Sequence, residues 1–208
     1  YPPNLTPDRE TGLGGWSDEE IVRAVREGRS RDGRIMGPPM PFGLYRGIAD
    51  DDVKAIVAYL RTVKPVVNKV PATVYRMPLP DSWGPPVAGV QAPALSDLVA
   101  YGAYLAGPVG HCVECHTPIS AKGELQLARL GAGTREFAGP WGVSISRNIT
   151  PAALGDWTDA EIKQAITTGV SRDGSRLMPP MGYGFYAKMT DEDLGALVAW
   201  LRSLKSAD

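Results

Sequence analysis

The chain contains one stretch twice. Trp16–Lys64 aligns without gaps onto Trp157–Lys205, and 23 of the 49 positions are identical, where average composition gives about 3 by chance. The match extends upstream. Asn4-Leu5-Thr6-Pro7 corresponds to Asn148-Ile149-Thr150-Pro151, with a three-residue difference in length.

Both copies carry the same local signals. In the second, Thr158 and Glu161 have the spacing of a capping box, Ile162, Ala165 and Ile166 share one face, and Gly169 supplies the stop. In the first, Ser17 and Glu20 form the box, Ile21, Ala24 and Val25 face inward, and Gly28 ends the helix. A Pro/Gly-rich loop with methionine follows, Met36–Phe42 in one copy and Leu177–Tyr183 in the other. Then comes a second helix. Thr190 caps it, Asp191, Glu192 and Asp193 suit the positive end of its dipole, and Leu194, Leu197, Val198, Leu201 and Leu204 form its apolar stripe. The first copy has Asp50–Asp52 followed by Val53, Ile56, Val57 and Leu60.

Between the copies, residues 65–92 carry Pro65, Pro71, Pro78, Pro80, Pro85 and Pro86 and read as an extended linker, with Val66-Val67 and Val74-Tyr75 as candidate short bridges. Ser96–Ala106 reads as a helix with Ser96 as N-cap and Leu98, Val99, Tyr101, Tyr104 and Leu105 available to pack. Strand signals are weak throughout. With 24 glycines and 19 prolines in 208 residues, the expectation is all-α, short helices joined by long ordered loops. Three segments follow: 1–64 as the later part of one domain, 65–92 as a Pro-rich linker, and 93–208 as a complete second copy.

The chemistry is concentrated in one place. The chain has two cysteines and two histidines, and Cys112, Cys115 and His116 fall within five positions. Cys112-Val113-Glu114-Cys115-His116 is the C-x-x-C-H pattern of covalent haem attachment. Two thiols add across two porphyrin vinyl groups, and the next residue places an imidazole at the iron. A redox C-x-x-C pair would want a βαβ setting that this sequence lacks. A zinc site would want a fourth ligand, and His111, adjacent to Cys112, is badly placed to complete a tetrahedron.

The second axial ligand has to come from elsewhere. His111 lies on the attachment segment itself, where reaching the opposite haem face is difficult. A thioether binds reduced haem iron well, so the candidates are Met178, Met181 and Met189. Met189 directly precedes a helix cap. Met181 alone has a methionine counterpart in the first copy, Met40, and is favoured over its alternative role as a core filler. Pro118 or Pro140 is expected to offer a carbonyl to the His116 ring. Trp141, Arg147, Asn148 and Tyr183 are candidates to line the crevice or hold the propionates. Trp157 recurs as Trp16 and serves packing equally well.

Net charge is −1 and the pI about 6.2, without the basic excess a nucleic-acid partner needs. The apolar run Leu98–Val109 is too short to span a bilayer. No signal peptide is visible, and the opening Tyr1-Pro2-Pro3 reads like the middle of a loop.

The run Tyr101–Pro118, together with Ser146–Pro151, Ser171–Gly174 and Pro179–Tyr183, resembles the multihaem cytochrome c subunits of bacterial periplasmic dehydrogenases acting on alcohols, aldehydes, sugar acids or N-heterocycles. The resemblance covers about 93–208 as a complete domain and 1–64 as the later part of another. It implies class I cytochrome c folds, His/Met haem ligation with His116 and Met181 at the family's ligand positions, one haem c covalently bound in this chain, and electron delivery to a quinone, an oxidase or another cytochrome in the periplasm. A dihaem peroxidase or a haem-based ligand sensor is the alternative, and the lack of a distal histidine argues against the peroxidase. The departure from the pattern is at the N-terminus. Cys112 lies 36 residues before Asn148, so the first copy's cysteine belongs about 32 residues before position 1. The expectation is a longer native protein, in which a second haem takes Met40 as its ligand.

Overall fold

The computed structural model describes residues 1–121 and 123–207. It forms two compact units, 1–92 and 93–208. The first unit holds α1 (Asp18–Glu27), α2 (Phe42–Tyr45) and α3 (Asp50–Thr62). The second holds α4 (Leu98–Tyr104), α5 (Cys112–His116), the hairpin β1 (Glu136–Gly139) and β2 (Gly142–Ile145), then α6 (Pro151–Leu154), α7 (Asp159–Thr168), α8 (Tyr183–Tyr186) and α9 (Asp191–Ser203). The architecture is mostly helical. The antiparallel hairpin, with Glu136 opposite Ile145 and Gly139 opposite Gly142, corrects the all-α expectation.

Local chemistry sets the helix ends. Both capping boxes form, Ser17 with Glu20 and Thr158 with Glu161, and both helices end on a left-handed glycine, Gly28 and Gly169. Thr190 caps α9 by accepting from the Asp193 amide, whereas α3 begins at Ala49 with no side-chain cap. The cap of α4 is Asp97 rather than Ser96, its carboxylate accepting from the Ala100 amide. A carboxylate opposite free helix N–H groups adds charge to the same hydrogen bond. After Tyr104 the helix widens into a π-turn, Leu105–Val109, that includes Pro108.

Each unit closes on an arginine that sequence periodicity does not reveal. Arg61 donates to the carbonyls of Leu13 (2.9 Å) and Trp16 (2.7 Å) and to Asp18 (2.7 Å). Its counterpart Arg202 donates to the carbonyls of Leu154 (2.8 Å) and Trp157 and to Asp159 (3.0 Å). The planar guanidinium joins the C-terminal helix to the chain entering the preceding helix in both copies. Around these ties lie separate cores. Ile21, Phe42, Ile48, Val53 and Val57 are buried in the first unit, and Tyr104, Leu105, Ile162, Leu194, Leu197, Val198 and Trp200 in the second.

The segment 65–92 packs back onto the first unit instead of bridging free space. The Val66 carbonyl accepts from Asn4 (2.8 Å), the Tyr75 hydroxyl accepts from the Gly37 amide (2.9 Å), and Trp83 donates to the Met36 carbonyl (2.8 Å). Val66-Val67 and Val74-Tyr75 form no bridges. The isolated bridges among the described residues are Arg29–Ile35, Ile119–Leu125 and Val170–Arg176.

The crossing of α4 on α9 fixes where the attachment segment begins. Backbones meet at Gly102, where an added Cβ would lie 2.0 Å from the Ala196 carbonyl oxygen and 2.7 Å from Trp200 Cβ. Gly195, one residue away on α9, has open space in the same position. Gly102→Ala is therefore expected to lower the thermal unfolding temperature of the second unit. Gly195→Ala is expected to raise it by about 2–4 °C, because it removes helical glycine entropy without a clash. Calorimetry on the two variants checks the opposite signs.

Candidate haem site

The attachment residues form a short helix of their own. Cys112, Cys115 and His116 sit at positions i, i+3 and i+4 of α5, so both sulfurs and the imidazole line one face. Neither cysteine is in a disulfide, and both are half-buried. Burial pushes the Cys112 thiol up to about 12. Burial, then the neighbouring Glu114 charge, raises Cys115. An exchanging C-x-x-C pair needs the reverse, a thiol with lowered pKa. Among the described residues no group of three or more His, Cys, Asp or Glu side chains is arranged to hold a metal ion, so the zinc alternative lacks its ligands.

The His116 ring is held from behind. Its Nδ1 lies 2.7 Å from the Arg147 carbonyl oxygen, which makes Nδ1 the protonated nitrogen and leaves Nε2 with its lone pair. Burial lowers the pKa of the ring, and the Arg147 carbonyl opposes this only in part. The imidazole is thus kept neutral, the form that binds iron. Here the structure corrects the expectation that Pro118 or Pro140 supplies the carbonyl. The Pro118 oxygen instead accepts from the Gln126 amide. The Arg147 side chain turns to Ser171 (3.0 Å) and Ser175 (3.4 Å), so the residue serves the site through its backbone.

Two further ties hold the methionine loop and the helix after it, one to the attachment segment and one to the hairpin. The Tyr186 phenol, on α8, donates to the Gly110 carbonyl at 2.7 Å. Burial, with Cys112 and Cys115 next in effect, raises its pKa, so the phenol stays protonated beside the two sulfurs. On the other side, Ser144 of β2 donates to the Pro179 carbonyl. Neither Tyr186 nor Ser144 stood out in the sequence, because their partners are backbone carbonyls 76 and 35 residues away.

The remaining candidates are distributed as follows. Met181 is half-buried in the loop before α8, while Met178 is 46% exposed. Tyr183 begins α8 and lies against Gly169. Trp141 sits at the hairpin turn, 38% exposed, with its ring against Gly139. Asn148 has both ends of its amide engaged elsewhere. Its oxygen accepts from Thr150 N and Oγ1 (both 2.8 Å), and its nitrogen donates to the Ala207 carbonyl. Asn4 repeats this turn with Thr6 and Val66, so Asn148 ties the turn to the segment after α9.

Comparison with known proteins agrees with this geometry. The family described as "Cytochrome C oxidase, cbb3-type, subunit III" matches residues 101–201. This chain is a c-type cytochrome. Its residues are 33% identical to a nicotinate dehydrogenase subunit of Pseudomonas putida, over 99% of the chain and 18% of that protein. They are 30% identical to the gluconate 2-dehydrogenase cytochrome c subunit of Pantoea cypripedii, over 100% of the chain and 52% of that protein. They are 28% identical to a diheme cytochrome c-type protein of Cereibacter sphaeroides, over 99% of the chain and 72% of that protein. The chain thus spans about half or less of the first two relatives. The donor set fits the group that such a domain carries. Two unpaired sulfurs and a neutral, oriented imidazole on one helix face are what one covalent haem c requires.

Tyr186→Phe removes the bond to Gly110 and leaves a half-buried carbonyl without its donor. The expected cost is about 1 kcal/mol, read as a lower guanidinium midpoint of the holoprotein. An unchanged midpoint would show that the phenol is solvated rather than bound.

Proposed function

We propose that this cytochrome is the electron-relaying part of a cytochrome c subunit serving a periplasmic dehydrogenase, passing electrons on to a quinone, an oxidase or another cytochrome. The observation that carries the reading is α5, with Cys112, Cys115 and His116 on one face and the His116 Nδ1 bound to the Arg147 carbonyl. The relatives named for nicotinate and gluconate dehydrogenases supply the class of partner. Bound haem supplies a one-electron Fe(III)/Fe(II) couple. The chain's own residues anchor it, orient the proximal imidazole and exclude water around the ring. No substrate chemistry is assigned to the chain. No helix among the described residues is long and apolar enough to cross a membrane.

Met181 is the proposed sixth ligand. It is the less exposed of the two loop methionines, and the Ser144–Pro179 bond ties its loop to the hairpin that follows the attachment segment. Trp141 and Tyr183 border that region and are the residues proposed to line the crevice. Met181→Ala is expected to turn the haem from low-spin to high-spin and open it to CO, while Met178→Ala leaves the spectrum unchanged. A wild-type haem already high-spin and CO-reactive would point to a peroxidase or sensor and contradict the carrier reading.

The first copy is proposed to complete a second haem domain with Met40 as ligand. Ala55, Ile56 and Tyr59 on α3 are exposed, while their counterparts Ala196, Leu197 and Trp200 on α9 are buried where α4 crosses. An apolar stripe of that kind calls for a helix of the α4 type, and the diheme relative supports the count. Met40→Ala should convert one haem of the native holoprotein to high spin without affecting the haem at Met181. If the native protein carries only one haem per chain, this part of the proposal falls.

A further inference from the structure

The carbonyl that meets the His116 ring is fixed from two sides. On the first, the backbone at Gly133 packs directly against it. The Gly133 amide donates to the His116 carbonyl at 2.8 Å. A Cβ at Gly133 would lie 2.5 Å from the Arg147 carbonyl carbon and 2.7 Å from its oxygen. Gly133 also has φ +73°, in the left-handed region that favours glycine. It therefore touches both the residue that carries the ring and the peptide that receives it, and no side chain fits there.

On the second side, the Arg147 side chain is tied down. Arg147 is exposed, and a long side chain at such a position ordinarily moves in water. Its guanidinium instead donates to Ser171 Oγ at 3.0 Å and to Ser175 Oγ at 3.4 Å. Ser171 is 2% exposed. The Ser175 hydroxyl donates to Asp173 Oδ1 at 2.6 Å, which leaves its oxygen free to accept from the guanidinium. The turn beneath is closed by the Ser171 amide to the Ser175 carbonyl (2.8 Å) and the Gly174 amide to the Ser171 carbonyl (2.9 Å).

The repeat separates what the turn needs from what the guanidinium adds. Ser30–Arg34 closes the same turn in the first copy with the same two backbone bonds, both 2.9 Å, and Ser30 is 6% exposed. There Pro3 stands where the second copy has Arg147, and Arg34 where it has Ser175. The turn forms without the guanidinium. The guanidinium tie belongs to the copy in which the same residue's carbonyl meets an imidazole.

We propose that Ser171 and Gly133 are positioning residues that fix Arg147, hold its carbonyl on the His116 ring and so lower the reduction potential of the haem. The inference rests on His116 binding the haem iron. A short bond from Nδ1–H to a carbonyl makes the imidazole a stronger donor, which favours Fe(III) over Fe(II). Loosening the carbonyl therefore raises the potential.

Redox titration of the holoprotein carrying isotope-labelled histidine tests this. Solvent exchange of the His116 Nδ1 proton in the reduced state reads the bond, and the potential reads its consequence. His111→Asn assigns the signals, because asparagine tolerates the left-handed backbone of that position. Ser171→Ala should speed the exchange about three- to tenfold. It should also shift the Fe(III)/Fe(II) equilibrium toward Fe(II) about threefold, or about 30 mV upward at about 59 mV per decade. Arg147→Lys keeps the charge, loses the forked geometry and should do the same. The double variant should match Arg147→Lys alone, because both changes break one tie. Gly133→Ala should move both readouts further, and Ser171→Ala decides the matter if Gly133→Ala fails to fold. Thr167→Val, which loses a hydroxyl bound within its own helix, should leave both readouts at their wild-type values. Unchanged exchange in Ser171→Ala and Arg147→Lys, an unchanged or lowered potential, or additive effects in the double variant overturn the proposal. Should the wild-type His116 ring signals show no paramagnetic shift on oxidation, the ring is not on iron and the ligand reading falls together with the inference. Should they shift while the variants match wild type, only the positioning role is lost.

Discussion

The hydrogen bond from His116 Nδ1 to the Arg147 carbonyl, 2.7 Å long, is the constraint on which the site depends. Imidazole presented to iron must be neutral and fixed in rotation, and one backbone acceptor achieves both. That carbonyl is itself placed by its neighbours. The Arg147 guanidinium is tied to Ser171 and Ser175, and the next residue, Asn148, binds Thr150 and the Ala207 carbonyl. The His116 ring is thereby wired to the loop after α7 and to the chain beyond α9. Orientation of one ring is a property of the whole second unit.

Duplication has preserved the ties that make a unit and altered those that hold its methionine loop. Arg61 and Arg202 make the same bonds to the same backbone positions, and Asn4 and Asn148 close the same turn. Elsewhere the copies diverge. Arg26 is buried in the first copy, donating to the Ile48 carbonyl and pairing with Asp50 at 2.7 Å, where the second copy has Thr167 bound to the Lys163 carbonyl within its own helix. Gly37 and Phe42 accept Tyr75 and Trp83 from outside, where Met178 and Tyr183 do not require an outside partner. Two copies that share a fold thus hold the same Pro-Pro-Met loop through different partners.

Much of this was legible because it is local. Capping boxes, the left-handed glycine stops and the C-x-x-C-H helix depend on residues within one turn of each other, so Ser17, Glu20, Thr158, Glu161 and Gly169 announce themselves. The cap of α4 was displaced by one residue because Ser96 and Asp97 are adjacent acceptors and tertiary placement chose between them. The hairpin escaped notice because four-residue strands with two glycines, Gly139 and Gly142, at their joined ends carry almost no alternation. The Arg147 carbonyl, the Tyr186 bond and the packing of 65–92 were invisible for a different reason. Backbone acceptors have no residue signature, and a proline-rich segment reads as extended whether it spans solvent or lies against a domain.

One porphyrin bonded to both sulfurs of α5 is what the carrier reading requires. Tandem mass spectrometry of the proteolytic peptide containing Cys112–His116, taken from native protein without reduction, tests it directly. The expected result is a single peptide bearing one haem, with fragment ions placing the added mass across Cys112 and Cys115. A peptide with two free thiols, or one lighter by two hydrogens from a Cys112–Cys115 disulfide, would contradict it.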